Sequence, residues 1–94
     1  MKFIVIGTVR PNATPEVVAS ALKAYTAWKP HKDLHLHSAL SAVDHNRVFM
    51  VAETTNPEAI YESTVTFSAC LSFEVVPVQD SQVAAPAALR LLQA

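Results

Sequence analysis

The sequence predicts a single α+β domain, residues 1–94, with a ferredoxin-like β-α-β-β-α-β order and a further helix at the C-terminus. Three observations predict this fold. The first strand carries apolar side chains on both of its faces. Two helix starts with the same capping chemistry, Thr14-Pro15-Glu16 and Asn56-Pro57-Glu58, each follow a predicted strand. Between them lie two strands joined by a short polar turn.

The first strand spans residues 2–10, and its segment Phe3-Ile4-Val5-Ile6-Gly7-Thr8-Val9 does not alternate between apolar and polar residues. Because successive side chains of a strand point to opposite faces, both faces of this strand are apolar. Two amphipathic helices can cover only one face of a small sheet. We therefore expect a second copy of the chain to cover the other face, so that a homodimer forms a dimeric α+β barrel.

The first helix begins with Thr14 as the N-cap, Pro15 at the first helical position and Glu16 near the positive end of the helix dipole, and Pro30 ends it. Its apolar stripe has three- and four-residue spacing and consists of Val18, Ala21, Leu22, Tyr25 and Trp28. The second helix runs from Pro57 to about Cys70. It is rich in β-branched and hydroxyl residues, so we expect packing rather than intrinsic propensity to hold it.

The second strand, residues 34–43, is predicted from alternation: Leu34, Leu36 and Leu40 alternate with His35, His37 and Ser41. The turn Asp44-His45-Asn46-Arg47 joins it to the third strand, Val48 to Glu53. The fourth strand covers residues 71–79. We expect it to lie at an edge of the sheet or to end at Pro77, because Pro77 cannot donate a ladder hydrogen bond. For residues 81–94 the sequence predicts a short C-terminal helix whose regular part begins at Pro86.

Right-handed crossovers place both inner helices on the same face of a four-stranded antiparallel sheet. Hydrophobic residues make up 51 % of the chain and charged residues only 16 %, below the usual share of about 25 %. A single small core cannot bury so much apolar surface, which also favours an oligomer.

The charge pattern excludes several classes of partner. The net charge is −1 and the seven basic residues are scattered, so we expect neither nucleic acid nor a membrane surface as a partner. No apolar run approaches the roughly 20 residues needed to span a bilayer. The N-terminal apolar run is short, ends at Arg10-Pro11 and lacks a cleavage motif, so we expect a cytoplasmic protein. Cys70 is the only cysteine, which rules out an intrachain disulfide and a cysteine-rich zinc site.

Polar side chains on the sheet are the best candidates for catalysis. His35 and His37 are two residues apart, so both point to one face, roughly 7 Å from each other. Glu53 ends the neighbouring strand, and Glu74 lies on the fourth strand. If all four line one pocket, a histidine can act as a general base and a carboxylate can orient it. Imidazole and carboxylate groups could also hold Zn²⁺ or Fe²⁺. The alternative is that these side chains are solvated residues on an exposed face.

Several segments together resemble a known family. They are the Met-Lys-aromatic-aliphatic start, Arg10-Pro11-Asn12-Ala13-Thr14-Pro15-Glu16, Trp28-Lys29-Pro30, the histidine-containing strand, Val51-Ala52-Glu53, Asn56-Pro57 and the run from Phe73 to Asp80. Their order and spacing resemble DUF3303, a family of short bacterial proteins of unknown function. The resemblance implies the architecture of dimeric α/β-barrel proteins, among them small monooxygenases and lactone isomerases, and it supplies no catalytic residues.

Three functions follow as hypotheses. In the first, a small, largely apolar molecule is bound or transformed in a sheet-lined cavity, without a cofactor, by chemistry similar to that of an oxygenase or isomerase. His35, His37, Glu53 and Glu74 would be its polar contacts. In the second, the protein is a non-enzymatic structural or regulatory homodimer. In the third, a metal ion or haem binds through His35 and His37.

Overall fold

The computed structural model describes all 94 residues and has the predicted order of elements. The strands are β1 (Lys2–Val9), β2 (His35–Ser41), β3 (Arg47–Glu53) and β4 (Leu71–Val78). The helices are α1 (Pro15–Ala27), α2 (Pro57–Thr66) and α3 (Ser81–Gln93). The predicted α+β class, ferredoxin-like order and C-terminal helix are therefore confirmed. The pairing of two sheets into a dimeric barrel stays a prediction.

The four strands form one antiparallel sheet in the order β2-β3-β1-β4. β1 lies inside the sheet between β3 and β4, as a strand with two apolar faces requires. β4 is an edge strand, which accommodates Pro77 opposite Phe3 of β1.

The two faces of the sheet are set by the register of β1. Val5 pairs with Met50 and Val75, and these side chains lie on the face that carries α1 and α2, here called the covered face. Ile4 and Ile6 belong to the opposite face, here called the open face. Their neighbours on that face are Val51, Phe49 and Val76. Both faces are thus apolar at their centre.

The hydrophobic core lies between the covered face and α2. Its buried residues are Val5, Leu34, Ala52, Ala59 and Ile60. Ala59 and Ile60 belong to α2, whereas α1 has no fully buried residue. The second helix is therefore fixed by packing, as its weak propensity requires, and the first helix is docked more loosely.

Gly7 makes room for side chains on the covered face. A Cβ atom at this position would lie 2.9 Å from Cε1 of Phe73 and 3.0 Å from Cγ2 of Val48. Because both distances are shorter than ordinary contacts, only glycine lets these side chains meet over the middle of β1.

Both predicted helix caps are confirmed. The Oγ1 atom of Thr14 accepts from the backbone N–H of Val17 at 3.2 Å, and Oδ1 of Asn56 accepts from that of Glu58 at 3.1 Å. The second helix ends at Thr66, short of the predicted Cys70. The Phe67 carbonyl instead accepts from the N–H groups of Cys70 and Leu71, which turns the chain into β4.

A β-bulge in β2 corrects the predicted faces of that strand. Leu36 pairs with Ala52 and Ser38 with Val51, so His37 is an extra residue between them. An extra residue inverts the facing of every later side chain. Leu40 therefore pairs with Phe49 and lies on the open face, 64 % exposed, instead of sharing a face with Leu36.

The hairpin turn after β2 contains His45 with a φ of 61°. This left-handed conformation is one that glycine adopts without strain, and the chain has no glycine here. The turn is closed by the N–H of His45, which donates to the carbonyl of Ala42 at 2.9 Å.

The C-terminal helix projects from the domain. It begins at Ser81, and Pro86 lies inside it, so the prediction that Pro86 starts the regular part is wrong. None of its residues is buried, and Leu91 is 78 % exposed. The radius of gyration is 15.8 Å, against about 12 Å for a compact chain of this length, because of this projection. No helix has the length and apolar character needed to cross a membrane.

Candidate functional site

Three of the four sequence-predicted site residues meet at one end of the open face. His35 pairs with Glu53 across β2 and β3. Nε2 of His37 donates to Oε1 of Glu53 at 2.9 Å, since an ionised carboxylate can only accept. The rings of His35 and His37 meet edge to face, with their centroids 4.5 Å apart.

The bulge explains this grouping. In a regular strand the Cα atoms of His35 and His37 would be about 7 Å apart, and both side chains would stand perpendicular to the sheet and would not lean toward β3. As the extra residue, His37 bends the strand so that its ring reaches Glu53. The sequence predicts a shared face for the two histidines but carries no signal for the bulge.

The hydrogen bond from His37 lowers the pKa of Glu53, with smaller contributions from the positive charges of His37, the N-terminus and Lys2. Partial burial opposes the shift. Lys2 also forms an ion pair with Asp80 at 3.0 Å, at the start of α3. This end of the open face is therefore a small polar network that keeps Glu53 ionised.

Glu74 is not part of that network. It pairs with Ile6, whereas Glu53 pairs with Lys2, four residues further along β1, which is about 13 Å along the strand. The two carboxylates also lie on either side of β1. Glu74 shares the open face with the histidines, as expected, but the structure does not bring it to them.

The His37–Glu53 pair lies on the surface. The side chains of His37 and Glu53 are 36 % and 50 % exposed, and neither lines a cavity. No three His, Cys, Asp or Glu side chains are arranged to hold a metal ion. Within one chain, this arrangement can hold a proton or accept a hydrogen bond, but it encloses no substrate.

The covered face contains a cavity of about 370 Å³ beneath α1, within the range of roughly 300–1,000 Å³ usual for ligand sites. Sixteen of its 20 lining residues are hydrophobic. Val5 and Met50 line it from the sheet, and Val18 and Ala21 line it from α1. The loose docking of α1 produces this space.

Three aromatic rings form one wall of the cavity. The rings of Tyr25 and Trp28 stack with centroids 6.0 Å apart, and the Phe67 ring meets Trp28 edge to face at 5.7 Å. Tyr25 and Phe67 are 6.2 Å apart, so each ring contacts the other two. The sequence indicates that these residues pack, and the spacing of Tyr25 and Trp28 is a helical signal for one face. That the packing leaves a cavity could not be predicted from the sequence.

The cavity has no acidic side chain or lysine in its lining. Arg47 reaches its edge, but the register places that side chain on the open face, where the guanidinium lies 5.3 Å from the centre of the Phe49 ring. Ser63 is buried, and its hydroxyl donates to the carbonyl of Ile60 at 2.8 Å. Ser41 and His45 also line the cavity, from the end of β2 and the exposed hairpin turn after it. The interior between α1 and the sheet is therefore mainly apolar and contains no carboxylate.

Comparisons with known proteins place the chain in a family. A crystal structure of SCO4226 from Streptomyces coelicolor A3(2) is similar to it, with a TM-score of 0.50 and 16 % identity, over 84 % of this chain and 99 % of that one. At this identity the similarity supports the fold alone. No curated protein matches the sequence significantly. Residues 1–92 match the family model described as a domain of unknown function, DUF3303. The chain therefore belongs to the DUF3303 family.

Proposed function

We propose that the protein binds a small, largely apolar molecule in the cavity between α1 and the covered face of the sheet. The observation that carries this proposal is the cavity itself, which is of ligand size and lined mainly by hydrophobic side chains. A packed core would close such a space, because each void costs contacts on its walls.

The rim of the cavity supports access from solvent. Leu22 and Tyr25 of α1 line it and are 64 % and 50 % exposed. Large apolar side chains clustered at an opening are typical of a surface that is covered by a ligand or partner. A molecule entering here would bury these side chains together with the interior.

The test uses the uncharged fluorescent probe N-phenyl-1-naphthylamine. We expect saturable binding to the wild-type protein and at least tenfold weaker binding to Ala21→Leu, because the added side chain fills the cavity. Ala19→Leu is the matched control on the exposed side of the same helix. Equal binding by all three proteins would show that the probe binds elsewhere and would overturn the proposal.

A second candidate is a homodimer that buries the open face and acts without catalysis, as a structural or regulatory assembly. It is favoured by the apolar centre of that face, where Ile4, Ile6 and Val51 lie opposite the face that packs against α2. Native mass spectrometry and sedimentation should report a dimer for the wild type. Ile6→Lys should yield a monomer, because a buried unpaired charge is costly. A monomeric wild type at micromolar concentration would remove this candidate.

The dimer would also give the polar network an enclosed setting. His35, His37 and Glu53 lie on the face that the second copy would cover, so the acid–base role inferred from the sequence depends on that association. Without it, the three side chains stay in solvent.

A further inference from the structure

We propose that the ligand of the cavity is an uncharged aromatic molecule. This inference rests on the proposed function and narrows it from an apolar molecule to one chemical class. Two independent observations carry it: a lining without carboxylates, whose two basic side chains, His45 and Arg47, are exposed at its edge, and the wall of three mutually contacting aromatic rings.

The charge of the lining argues against ionic ligands. An anion would need a cationic partner, and the guanidinium of Arg47 is held over the Phe49 ring on the opposite face of the sheet. The other basic side chain of the lining, His45, lies in the exposed hairpin turn, away from the aromatic wall on α1. A cation would need a carboxylate, and no Asp or Glu lines the cavity. An ion in an apolar interior without a partner loses its hydration free energy, and the lining compensates little of that loss. The lining of the cavity therefore favours uncharged ligands over charged ones.

The aromatic wall argues for a ring system rather than an alkyl chain. Tyr25, Trp28 and Phe67 lie within 5.7–6.2 Å of one another, and all three line the cavity. Aromatic rings at these distances interact through offset stacking and edge-to-face contacts, which add to the effect of buried area. The gain over an aliphatic molecule of equal size corresponds to about two- to tenfold in affinity for each good ring contact.

The first experiment compares two probes that differ in one group. N-phenyl-1-naphthylamine is uncharged, and anilinonaphthalene sulfonate has the same ring skeleton with a sulfonate added. We expect the sulfonate to bind the cavity at least tenfold more weakly, as measured by fluorescence titration of wild type and Ala21→Leu. Cavity binding is defined as the part of the fluorescence titration that is present in the wild type and absent in Ala21→Leu. Equal cavity affinity for both probes would overturn the selection against charge.

The second experiment compares uncharged competitors. Naphthol should displace bound N-phenyl-1-naphthylamine at a concentration at least fivefold lower than decanol does. Tyr25→Leu should lower the affinity for naphthol at least threefold and change the affinity for decanol by less than twofold. Tyr25 suits this test because it is half exposed, so its replacement leaves the buried core intact. Trp28→Leu repeats the comparison of naphthol and decanol at a second ring of the wall, once circular dichroism has shown that this variant is folded. Equal displacement by naphthol and decanol would overturn the aromatic assignment.

Failure of this inference and failure of the proposed function give different results. If no probe binds in a way that Ala21→Leu removes, the cavity is not a binding site and both fail. If the neutral probe binds there but the sulfonate or decanol binds equally well, the cavity binds ligands and only the aromatic assignment fails.

Discussion

The two faces of the sheet are both apolar at the centre of β1 but have different surroundings. On the covered face, Val5 is 3 % exposed and Ala52 is fully buried beneath α2. On the open face, Ile4 and Ile6 are only partly buried, by neighbours within the sheet. Burial of apolar area is favourable wherever it can occur, so this difference arises from the supply of covering elements. The two inner helices both follow right-handed crossovers to the covered face, and α3, which has no buried residue, covers neither face.

The largest effect should distinguish the faces directly. Ile60→Ala should destabilise the protein by about 2–5 kcal/mol, because it leaves a cavity in the buried core. Ile6→Ala on the open face should cost about 1 kcal/mol or less in the monomer. Urea unfolding followed by circular dichroism measures both.

The same pair of variants tests whether a second copy covers the open face. In a dimer, the cost of Ile6→Ala should rise toward that of Ile60→Ala and should depend on protein concentration. A large cost that does not vary with concentration would contradict the description of this face as uncovered in the monomer.

Gly7 offers a test within the covered face. Gly7→Ala should destabilise by about 1–3 kcal/mol, since its Cβ would crowd the Phe73 ring at 2.9 Å. The same change in a Phe73→Leu background should cost less, because the ring is gone. Additive costs in the double variant, measured by thermal or urea unfolding, would show that Phe73 is not the group that requires glycine.

A smaller effect should come from the cap of the loosely docked helix. Thr14→Ala should cost about 1 kcal/mol, because the N–H of Val17 loses its acceptor. Amide exchange should accelerate in α1 and leave α2 unchanged. Thr26→Ala is the matched control: its hydroxyl bonds a carbonyl that the helix already engages near its end, and alanine has the higher helix propensity. Equal losses for both variants would contradict a specific role for the cap.

The smallest effect concerns the polar end of the open face. His37→Ala, which leaves no donor, should raise the pKa of Glu53 back toward its ordinary value, as measured by NMR titration of the side chain. Because the folded state lowers this pKa, the stabilisation is complete above the ordinary glutamate pKa. It is lost as pH falls through the lowered value. Glu16, exposed at the start of α1, is the reference carboxylate. An unchanged Glu53 pKa in His37→Ala would show that the hydrogen bond is not the cause of the lowered value.

Local signals account for the predictions that succeeded. The capping residues Thr14 and Asn56 act within a few positions of themselves, so the helix starts can be deduced from the chain alone. The position of Pro77 at a sheet edge follows from its missing donor. The sequence could not predict that Glu74 is remote from the histidines, because residues that share a face of the sheet can still lie several strands apart.

The sequence by itself determined the α+β class, the order of the elements and the apolar character of both faces of β1, because these depend on periodicity and local backbone chemistry. Only the tertiary structure decided three further features. They are the bulge that turns His37 toward Glu53, the facing of Leu40, and the cavity beneath α1. Each arises from the register between strands or from the fit of a helix on the sheet. Such distances are set by packing of residues far apart in the chain, and a pattern along the chain does not encode them.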